Sequence, residues 1–435
     1  MARVAKSMSG SFGAQSQGGL SPGKKPDAVQ TVSGSHHAWL PFTQMAQFDA
    51  SQRTFVRGSG TMLTDSRGRH TFDAVSSIWT TIHGHGHPAI VERIARQAAT
   101  LDHATSLGAT NDVAEELAGR LAALTGLDRV FFSSDGASAI EVALKMALQY
   151  WQNSGQPQRS RFIRLVDAYH GDTAGAMSVS DIAPFKERFG PLTFTAVAYG
   201  GTLEELHAPD VAAIIVEPIV QAAAGMRIVP YAMYSALADR STLLIVDEIA
   251  TGFGRTGPMF AYERLALAPD LLCVGKGLTG GTLALSATLA TDRIYAAFLG
   301  AHAELRHLFH GHSYAGDPIA CAAALASLDL FETESTLERA VDLARKLTPL
   351  LATLSANGHV RAIRQAGLMC GIELEAWTID GRGAISPAWR VANDLYDRGF
   401  FTRPIGDVVQ LVPPLSSTYE ELERFCTVLT EILDA

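Results

Sequence analysis

Residues 244–248 read Leu-Ile-Val-Asp-Glu, and residues 274–277 read Val-Gly-Lys-Gly. Each stretch closes a short apolar run, with Asp247 after the first run and Lys276 after the second. Short apolar runs of this kind predict buried strands. Ligands bind beyond the carboxyl ends of the strands in open parallel sheets, so these two side chains are placed to share one ligand. The simpler alternative is an ordinary strand-end aspartate and an unrelated surface lysine.

The chain around this pair alternates predicted strands with predicted helices. The predicted strands are residues 129–133, 161–166, 211–217, 242–247 and 271–275, and one helical face carries Ile140, Ala143, Leu144, Ala147, Leu148 and Trp151. This alternation predicts an α/β fold with a mainly parallel sheet covered by helices. A hairpin is predicted near residues 61–72, a helix over 319–331 after Pro318, and strand-like pieces at 359–365, 369–374 and 408–412.

Composition excludes several classes of protein. The net charge of −9 argues against a nucleic-acid binder, which carries a basic patch. The four cysteines form no C-x-x-C pair, so we expect no disulfide framework and a reducing cytoplasm. No apolar run reaches the roughly 18 residues that predict a membrane span.

The Asp247 and Lys276 pair suits pyridoxal 5'-phosphate. A lysine amine forms a Schiff base with the aldehyde of this cofactor, and a carboxylate keeps its pyridine nitrogen protonated, so that the ring accepts electrons. A second element, Phe132–Ser138, lies between a strand and a helix. Backbone amides at a helix N-terminus bind phosphate, and Gly136 allows close approach. The alternative is a capping turn with Ser134 or Asp135 as the cap.

Three further motifs are candidates for binding. Tyr169 follows a predicted strand and suits stacking on a cofactor ring, although a buried Tyr-His pair in a turn is the ordinary interpretation. Arg403 suits a substrate carboxylate, because a guanidinium donates two parallel hydrogen bonds; the alternative is a surface salt bridge. Alternating histidines at 83–87 and 310–312 suggest a metal site, but no cysteine cluster or H-E-x-x-H accompanies them, and we predict none.

Taken together, these residues resemble the class III aminotransferases of pyridoxal-phosphate fold type I. The motifs that carry the resemblance are WLPFTQM (39–45), SSIWTTIHGHGHP (76–88), EVALKMALQYW (141–151), YHGDT (169–173), VEPIVQAAAGM (216–226), DEIATGFGRTG (247–257), GKGLTGG (275–281), FHGHSYAGDP (309–318) and TRPIGDVVQLVPP (402–414). Within the family, the chain looks most like enzymes that aminate 8-amino-7-oxononanoate to 7,8-diaminononanoate in biotin synthesis.

The resemblance implies a role for each site residue. Lys276, Asp247 and Tyr169 would be catalytic, with Lys276 as the Schiff-base lysine. The cofactor would be held by these three residues together with Gly136, Ala137, Glu217, His312 and Ser313. The substrates would be held by Phe42, Ile78, Trp79, Tyr169, Gly311 and Arg403, with Arg403 on the carboxylate of the keto acid. Ser313 would come from the neighbouring subunit, which implies a homodimer with shared active sites.

The resemblance also implies a domain plan. In that plan residues 36–75 would be the N-terminal segment of a small domain. Residues 1–35 precede it, and their Ser-, Gly-, Gln- and Lys-rich composition predicts a disordered tail, with a transit peptide as the alternative. Residues 76–318 would form the large cofactor-binding domain, and 319–435 the C-terminal small domain of α+β type.

The amino donor is left open between S-adenosylmethionine and lysine. Relatives that use S-adenosylmethionine have Tyr at the position of Phe42, Trp at that of Ile78 and Thr at that of Ser313, whereas WLPFTQM and TRPIGDV resemble a lysine-using branch. We favour S-adenosylmethionine. The rival functions are another class III ω-aminotransferase, an isomerase or racemase of the same fold, and a non-catalytic binding protein.

Overall fold

The computed structural model describes residues 37–43, 45, 53–375 and 386–435. Residues Met1–Thr54 form one unit and Phe55–Ala435 a second. The predicted tail, residues 1–35, lies outside the described residues. The proposed domain boundaries at residues 75 and 318 stay predictions.

The second unit is built on strands that we label β1 to β16 in chain order. They are Phe55–Ser59, Met62–Asp65, His70–Asp73, Arg129–Ser133, Arg161–Arg164, Val197–Ala198, Val211–Val216, Val220–Gln221, Arg227–Ile228, Leu243–Asp247, Leu271–Val274, Ser286–Ala290, Val360–Ala366, Met369–Leu374, Phe400–Phe401 and Val408–Leu411. Seven of them form the central sheet in the order β4-β12-β11-β10-β7-β5-β6.

The central sheet is mainly parallel, as the sequence predicts. Strands β11, β10, β7, β5 and β6 pair in parallel, and β7, β10 and β11 are buried throughout. Strand β12 is the exception, because it pairs antiparallel with both β11 and β4. Asp247 is the last residue of β10, and Lys276 follows β11 by two residues. Their positions in neighbouring parallel strands bring both residues to the same edge of the sheet.

Helices cover the sheet and form the rest of the unit. The helices of eight or more residues in the described chain are Pro88–Thr100, Asp112–Thr125, Gly136–Asn153, Pro318–Thr333, Thr336–Leu354, Pro387–Asp397 and Tyr419–Leu433. Shorter helices and 3-10 turns are Ser76–Trp79, Ala174–Ser178, Ala183–Lys186, Glu187–Leu192, Leu203–His207, Ala222–Ala224, Ala232–Ser235, Ala236–Ala238, Ala261–Leu265, Lys276–Thr279, Asp292–Ala296 and His302–Glu304. None of the described helices is long and apolar enough to cross a membrane.

Two small sheets join distant parts of the chain. The sheet β1-β2-β3-β15 contains the predicted hairpin, and its strand β15 comes from the C-terminal region. A second sheet, β13-β14-β16, is antiparallel and matches the three C-terminal strands expected from the sequence. The main-chain amide of Val412 donates to the carbonyl of Ala74 at 2.7 Å, so the end of β16 is tied to the segment that follows β3.

Candidate active site

A cavity of about 430 Å³ opens at the carboxyl ends of β7, β10 and β11. Its walls are Trp79, Gly136, Ala137, Tyr169, His170, Gly171, Asp172, Thr173, Glu217, Ala222, Ala223, Asp247, Ile249, Ala250, Thr251 and Lys276. Seven of the residues singled out from the sequence are therefore brought together: Trp79, Gly136, Ala137, Tyr169, Glu217, Asp247 and Lys276.

Lys276 supplies an amine to the wall of the cavity. It begins a 3-10 turn with a left-handed φ of 42°, and its Nζ atom lies 5.4 Å from the centre of the Trp79 ring. Burial lowers the pKa of its amine, and the carboxylates of Asp247 and Glu217 oppose that shift. A lysine in this setting loses its proton more readily than one at the surface, which favours nucleophilic and general-base chemistry.

Asp247 is held from two sides. Its Oδ2 atom accepts a hydrogen bond from His170 Nδ1 at 2.7 Å, and its Oδ1 atom accepts one from the amide of Ile249 at 3.0 Å. A carboxylate has about four acceptor sites, so Asp247 retains acceptor capacity for a further N–H donor in the cavity. The imidazole of His170 is buried and fixes the direction of the carboxylate.

Glu217 follows β7 and supplies a second buried carboxyl group. Its Oε2 atom accepts a hydrogen bond from the amide of Tyr169 at 3.0 Å. Burial and the neighbouring charge of Asp247 raise the pKa of Glu217 well above its usual value. Two carboxyl groups so placed favour the neutral form of the one whose pKa is raised, and that group is Glu217.

The Tyr169 side chain is oriented by Asp172. The phenol donates to Asp172 Oδ2 at 2.7 Å, and burial together with this carboxylate raises the pKa of the phenol. Tyr169 therefore stays protonated at neutral pH, and its hydroxyl acts as a hydrogen-bond donor rather than as a base.

The turn before the helix Gly136–Asn153 both caps that helix and forms part of the cavity wall. Asp135 is the N-cap, since its side chain accepts from the amide of Ser138 at 3.0 Å. The carboxylate is thus engaged as a cap, while Gly136 and Ala137 line the cavity. A Cβ atom at Gly136 would lie 2.8 Å from a methyl carbon of Ile249. The first-turn amides of a helix lack acceptors within the helix, so they can receive an anion.

Trp79 ends a left-handed turn, Ser76–Trp79, in which φ lies between 48° and 66° at all four residues. Such residues cost about 1–2 kcal/mol each, so other contacts must hold the turn. Asp73 accepts from the amide and the hydroxyl of Ser77 at 3.0 and 2.9 Å. The hydroxyl of Ser76 donates to the carbonyl of Val412 at 2.7 Å.

The remaining predicted site residues of the second unit do not line this cavity. Gly311 lines a second cavity of about 640 Å³, and Ser313 is exposed. His312 lies beside His310, with 3.2 Å between their Nε2 atoms. Ile78, in the left-handed turn, is 37% exposed. Arg403 is half-buried, with its guanidinium 5.8 Å from the centre of the Trp389 ring, and Phe42 belongs to the first unit.

The histidines at 83–87 have separate partners. His83 Nε2 lies 3.1 Å from the Ser327 hydroxyl, His85 Nε2 2.9 Å from Asp73 Oδ2, and His87 Nε2 3.1 Å from Glu334 Oε1. No group of three metal-binding side chains is found in the described part of the chain. The motif thus acts as a set of tertiary contacts.

Acid should weaken the fold through His83. Burial lowers the pKa of His83 from 6.5 to about 4. Between these two pH values, His83 is protonated in the unfolded chain and neutral in the folded chain. Stability present above pH 6.5 is then lost as the pH falls towards 4. Between pH 7 and pH 5 we expect wild type to lose about 2 kcal/mol more than His83→Gln. Urea unfolding of both proteins at each pH measures this difference; equal losses would contradict it.

Comparison with known proteins places the chain in a family. A profile of the family described as aminotransferase class-III matches residues 45–433. The chain belongs to the class-III aminotransferases. This confirms the family expected from the motifs, and the fold of its structural relatives confirms the expected fold type.

The aminotransferase has similar relatives along nearly its whole length. It is 40% identical to an adenosylmethionine-8-amino-7-oxononanoate aminotransferase of Anoxybacillus flavithermus, over 91% of this chain and 94% of the relative. The crystal structure of the enzyme with that name from Methanocaldococcus jannaschii is 39% identical, with a TM-score of 0.86 and coverage of 92% and 97%. An amine transaminase from an uncultivated Pseudomonas species, in its PLP-bound form, is 31% identical, with a TM-score of 0.85 and coverage of 92% and 99%.

The cavity of this aminotransferase fits pyridoxal phosphate, the cofactor that its family implies. Gly136 and Ala137 line the cavity at the N-terminus of a helix, where a phosphate can bind, and the carboxylate of Asp247 has acceptor capacity left. Lys276 supplies an amine whose pKa is lowered by burial. These are the three chemical groups that the cofactor requires at its phosphate, its ring nitrogen and its aldehyde.

Sequence reasoning missed the two residues that orient Asp247 and Tyr169. His170 and Asp172 stand beside Tyr169 in the quoted motif, but only the fold reveals their partners. Asp247 is 77 residues from His170 along the chain, so no local pattern indicates the contact. The cluster of Tyr, His and Asp could have indicated them. A turn after a buried strand seldom needs three such polar side chains for structure alone.

Proposed function

We propose that the protein transfers an amino group to 8-amino-7-oxononanoate, giving 7,8-diaminononanoate, with S-adenosylmethionine as donor. The observation that carries this proposal is the convergence of Lys276 and Asp247 on one cavity, in a chain about 40% identical to relatives named for that reaction. The cytoplasmic location stays a prediction from the cysteine content.

The proposal assigns the cofactor to the observed groups. Lys276 Nζ would attach pyridoxal phosphate covalently, Asp247 would pair with its ring nitrogen, and the amides of Gly136 and Ala137 would hold its phosphate. When bound, the cofactor supplies an acceptor for the electron pair released at the substrate carbon. Tyr169 would cover the ring, with its protonated hydroxyl donating to Asp172.

Proton transfer falls to Lys276. Burial lowers the pKa of its amine, which favours the neutral form of Nζ that would take the proton from the amine-bearing carbon of the donor once the donor amine has displaced Nζ. The same atom returns a proton to the ketone carbon of the acceptor in the second half-reaction. Glu217, hydrogen-bonded to the amide of Tyr169, would hold in place the turn that carries Tyr169.

Substrate binding involves a wider set of residues. Trp79 would form the wall against which the acceptor chain lies, and Arg403 would hold its carboxylate. We also propose a homodimer in which Ser313 reaches the partner's phosphate site, together with Gly311 and His312. The exposure of Ser313 and its absence from the cavity of its own chain support a role towards a second copy.

The donor and the acceptor can be tested in one set of reactions. Purified protein with pyridoxal phosphate is incubated with 8-amino-7-oxononanoate and either S-adenosylmethionine or lysine, and diaminononanoate is detected by mass. We expect product with S-adenosylmethionine. Product with lysine alone would assign the donor to the lysine-using alternative.

Two further outcomes identify the rival functions. Amino transfer from simple amines to other ketones, without diaminononanoate, would indicate a different ω-aminotransferase. Conversion of a single amino compound without any keto acceptor would indicate an isomerase or racemase. Either result would overturn the proposed reaction while leaving the family assignment intact.

A further inference from the structure

A buried amide connects two residues assigned above to substrate binding. Gln410, on β16, is 1% exposed. Its Oε1 atom accepts a hydrogen bond from the indole N–H of Trp79 at 2.8 Å, and its Nε2 atom donates to the main-chain carbonyl of Arg403. The main-chain carbonyl of Gln410 accepts from the Thr402 hydroxyl at 2.6 Å. Side chain and backbone thus both anchor the segment that carries Arg403.

The chemistry of the partners fixes the orientation of this amide. An indole N–H can only donate, and a carbonyl oxygen can only accept. Rotating the amide of Gln410 by half a turn would place its NH₂ against the indole N–H of Trp79 and its oxygen against the carbonyl of Arg403, so both hydrogen bonds would be lost. The bridge therefore has one arrangement, and it is shielded from water.

Trp79 has particular need of such an anchor. It ends the left-handed turn Ser76–Trp79, whose backbone is held by tertiary contacts rather than by a regular helix. One of those contacts joins Ser76 to Val412, two residues beyond Gln410. The same stretch of chain thus fixes the backbone of the turn and the ring that closes the cavity.

We propose that Gln410 is a positioning residue that sets the preference for a carboxylate-bearing acceptor. It holds the Trp79 wall and the backbone of Arg403 at one spacing, so that an acceptor of the right length reaches Lys276 while its carboxylate meets the guanidinium. This inference rests on the proposed function. Misplacement of either anchor reduces the fraction of bound acceptor in a reactive position.

Gln410→Met tests the inference, because methionine keeps the length of the side chain and removes both hydrogen bonds. Two acceptors are compared: 8-amino-7-oxononanoate and its methyl ester, which has the same ketone without the negative charge. We expect the ratio of kcat/KM for acid over ester to fall about tenfold, the factor that about 1.4 kcal/mol represents. The loss should lie mainly in KM for the acid, and donor-only conversion should change little.

Gln365→Met is the matched control. Gln365 lies on β13 of the same small sheet, and its amide donates to the carbonyls of Ala344 and Gly367 at 3.0 and 3.1 Å. Gln365→Met makes the same chemical change away from the cavity, so its ratio of kcat/KM for acid over ester should stay at the wild-type value. Trp79→Phe is a second probe of the bridge, since it removes the indole donor without altering β16.

A measurement without turnover follows the bridge directly. Protein labelled with 5-fluorotryptophan gives one fluorine resonance for each tryptophan, and Trp79→Phe assigns the signal of Trp79. We expect Gln410→Met to shift that signal, whereas Gln365→Met should leave it in place. An unmoved Trp79 signal in Gln410→Met would overturn the proposed bridge, even if the variant were too unstable for kinetics.

The kinetic outcomes distinguish a failure of the inference about Gln410 from a failure of the proposed function. Equal losses for acid and ester in Gln410→Met would mean a purely structural role, and no loss with either acceptor would also overturn the inference. In both cases an active wild type leaves the proposed function standing. A wild type that aminates neither acceptor would instead refute the proposed function, and the inference with it.

Discussion

Lys276→Ala is expected to abolish amino transfer, leaving less than about one part in a thousand of the wild-type rate, or more than about 4 kcal/mol in the barrier. Under the proposed assignment, the substitution removes the covalent attachment of the cofactor and the proton carrier in one step. Cofactor retained after borohydride reduction and denaturation is measured by absorbance and by intact mass. Wild type should keep one cofactor per chain, and the variant none.

A surface lysine provides the control for this loss. Lys346 lies on the helix Thr336–Leu354 and forms an ion pair with Asp342 at 2.7 Å. Lys346→Ala should keep wild-type rates and covalent cofactor. Turnover by Lys276→Ala at a rate close to that of wild type would mean that another amine carries the cofactor, and the central assignment would be wrong.

Asp247→Asn is expected to slow both half-reactions by at least about a hundredfold, which corresponds to about 2.7 kcal/mol in the barrier. An amide has the shape of the carboxylate but lacks the negative charge that, under the proposed assignment, would keep the cofactor's ring nitrogen protonated. Single-turnover experiments with the donor alone and with the acceptor alone measure the two halves separately. The bound cofactor should remain, because Lys276 is unchanged.

Glu248→Gln distinguishes this loss from a general effect of removing buried charge. Glu248 is the next residue, and its carboxyl group accepts from the Thr251 hydroxyl at 2.6 Å and the amide of Tyr262 at 2.7 Å. Burial raises the pKa of Glu248 to about 7, so a neutral side chain is tolerated there. Its chemistry should stay within a few-fold of wild type; parallel losses in both variants would contradict the role of Asp247.

Much of the central fold could be predicted because its signals are local. Strands β4, β10 and β11 were indicated by short apolar runs, and the charged residues after them marked the edge where the cavity forms. Strand β12 was not predicted. Its sequence, Ser-Ala-Thr-Leu-Ala, is dominated by small residues and has no clear alternation, so its antiparallel placement depends on its neighbours rather than on its own pattern.

The parts of the site that escaped prediction depend on distant partners. Nothing in the sequence Ser-Ser-Ile-Trp indicates four left-handed residues without glycine; contacts with Asp73 and Val412 impose them. From the sequence alone, Gln410 is an ordinary polar residue of a C-terminal strand. Only the fold shows that its amide contacts the indole of Trp79. The roles of Ser313 and Arg403 were inferred from resemblance, and they stay predictions because they depend on a second copy and on a bound substrate.

The bridge between Trp79 and Gln410 spans 331 residues of sequence, and this has a consequence for biosynthesis. Strands β4, β7, β10, β11 and β12 are complete once residue 290 has been translated, so Lys276 and Asp247 can meet early on the ribosome. The tryptophan wall cannot close before residue 410 has emerged. Long-range pairings of this kind form late, since loop-closure entropy opposes them. The nascent chain can thus bring Lys276 and Asp247 together before the Trp79 wall, which is proposed to position the acceptor, has formed.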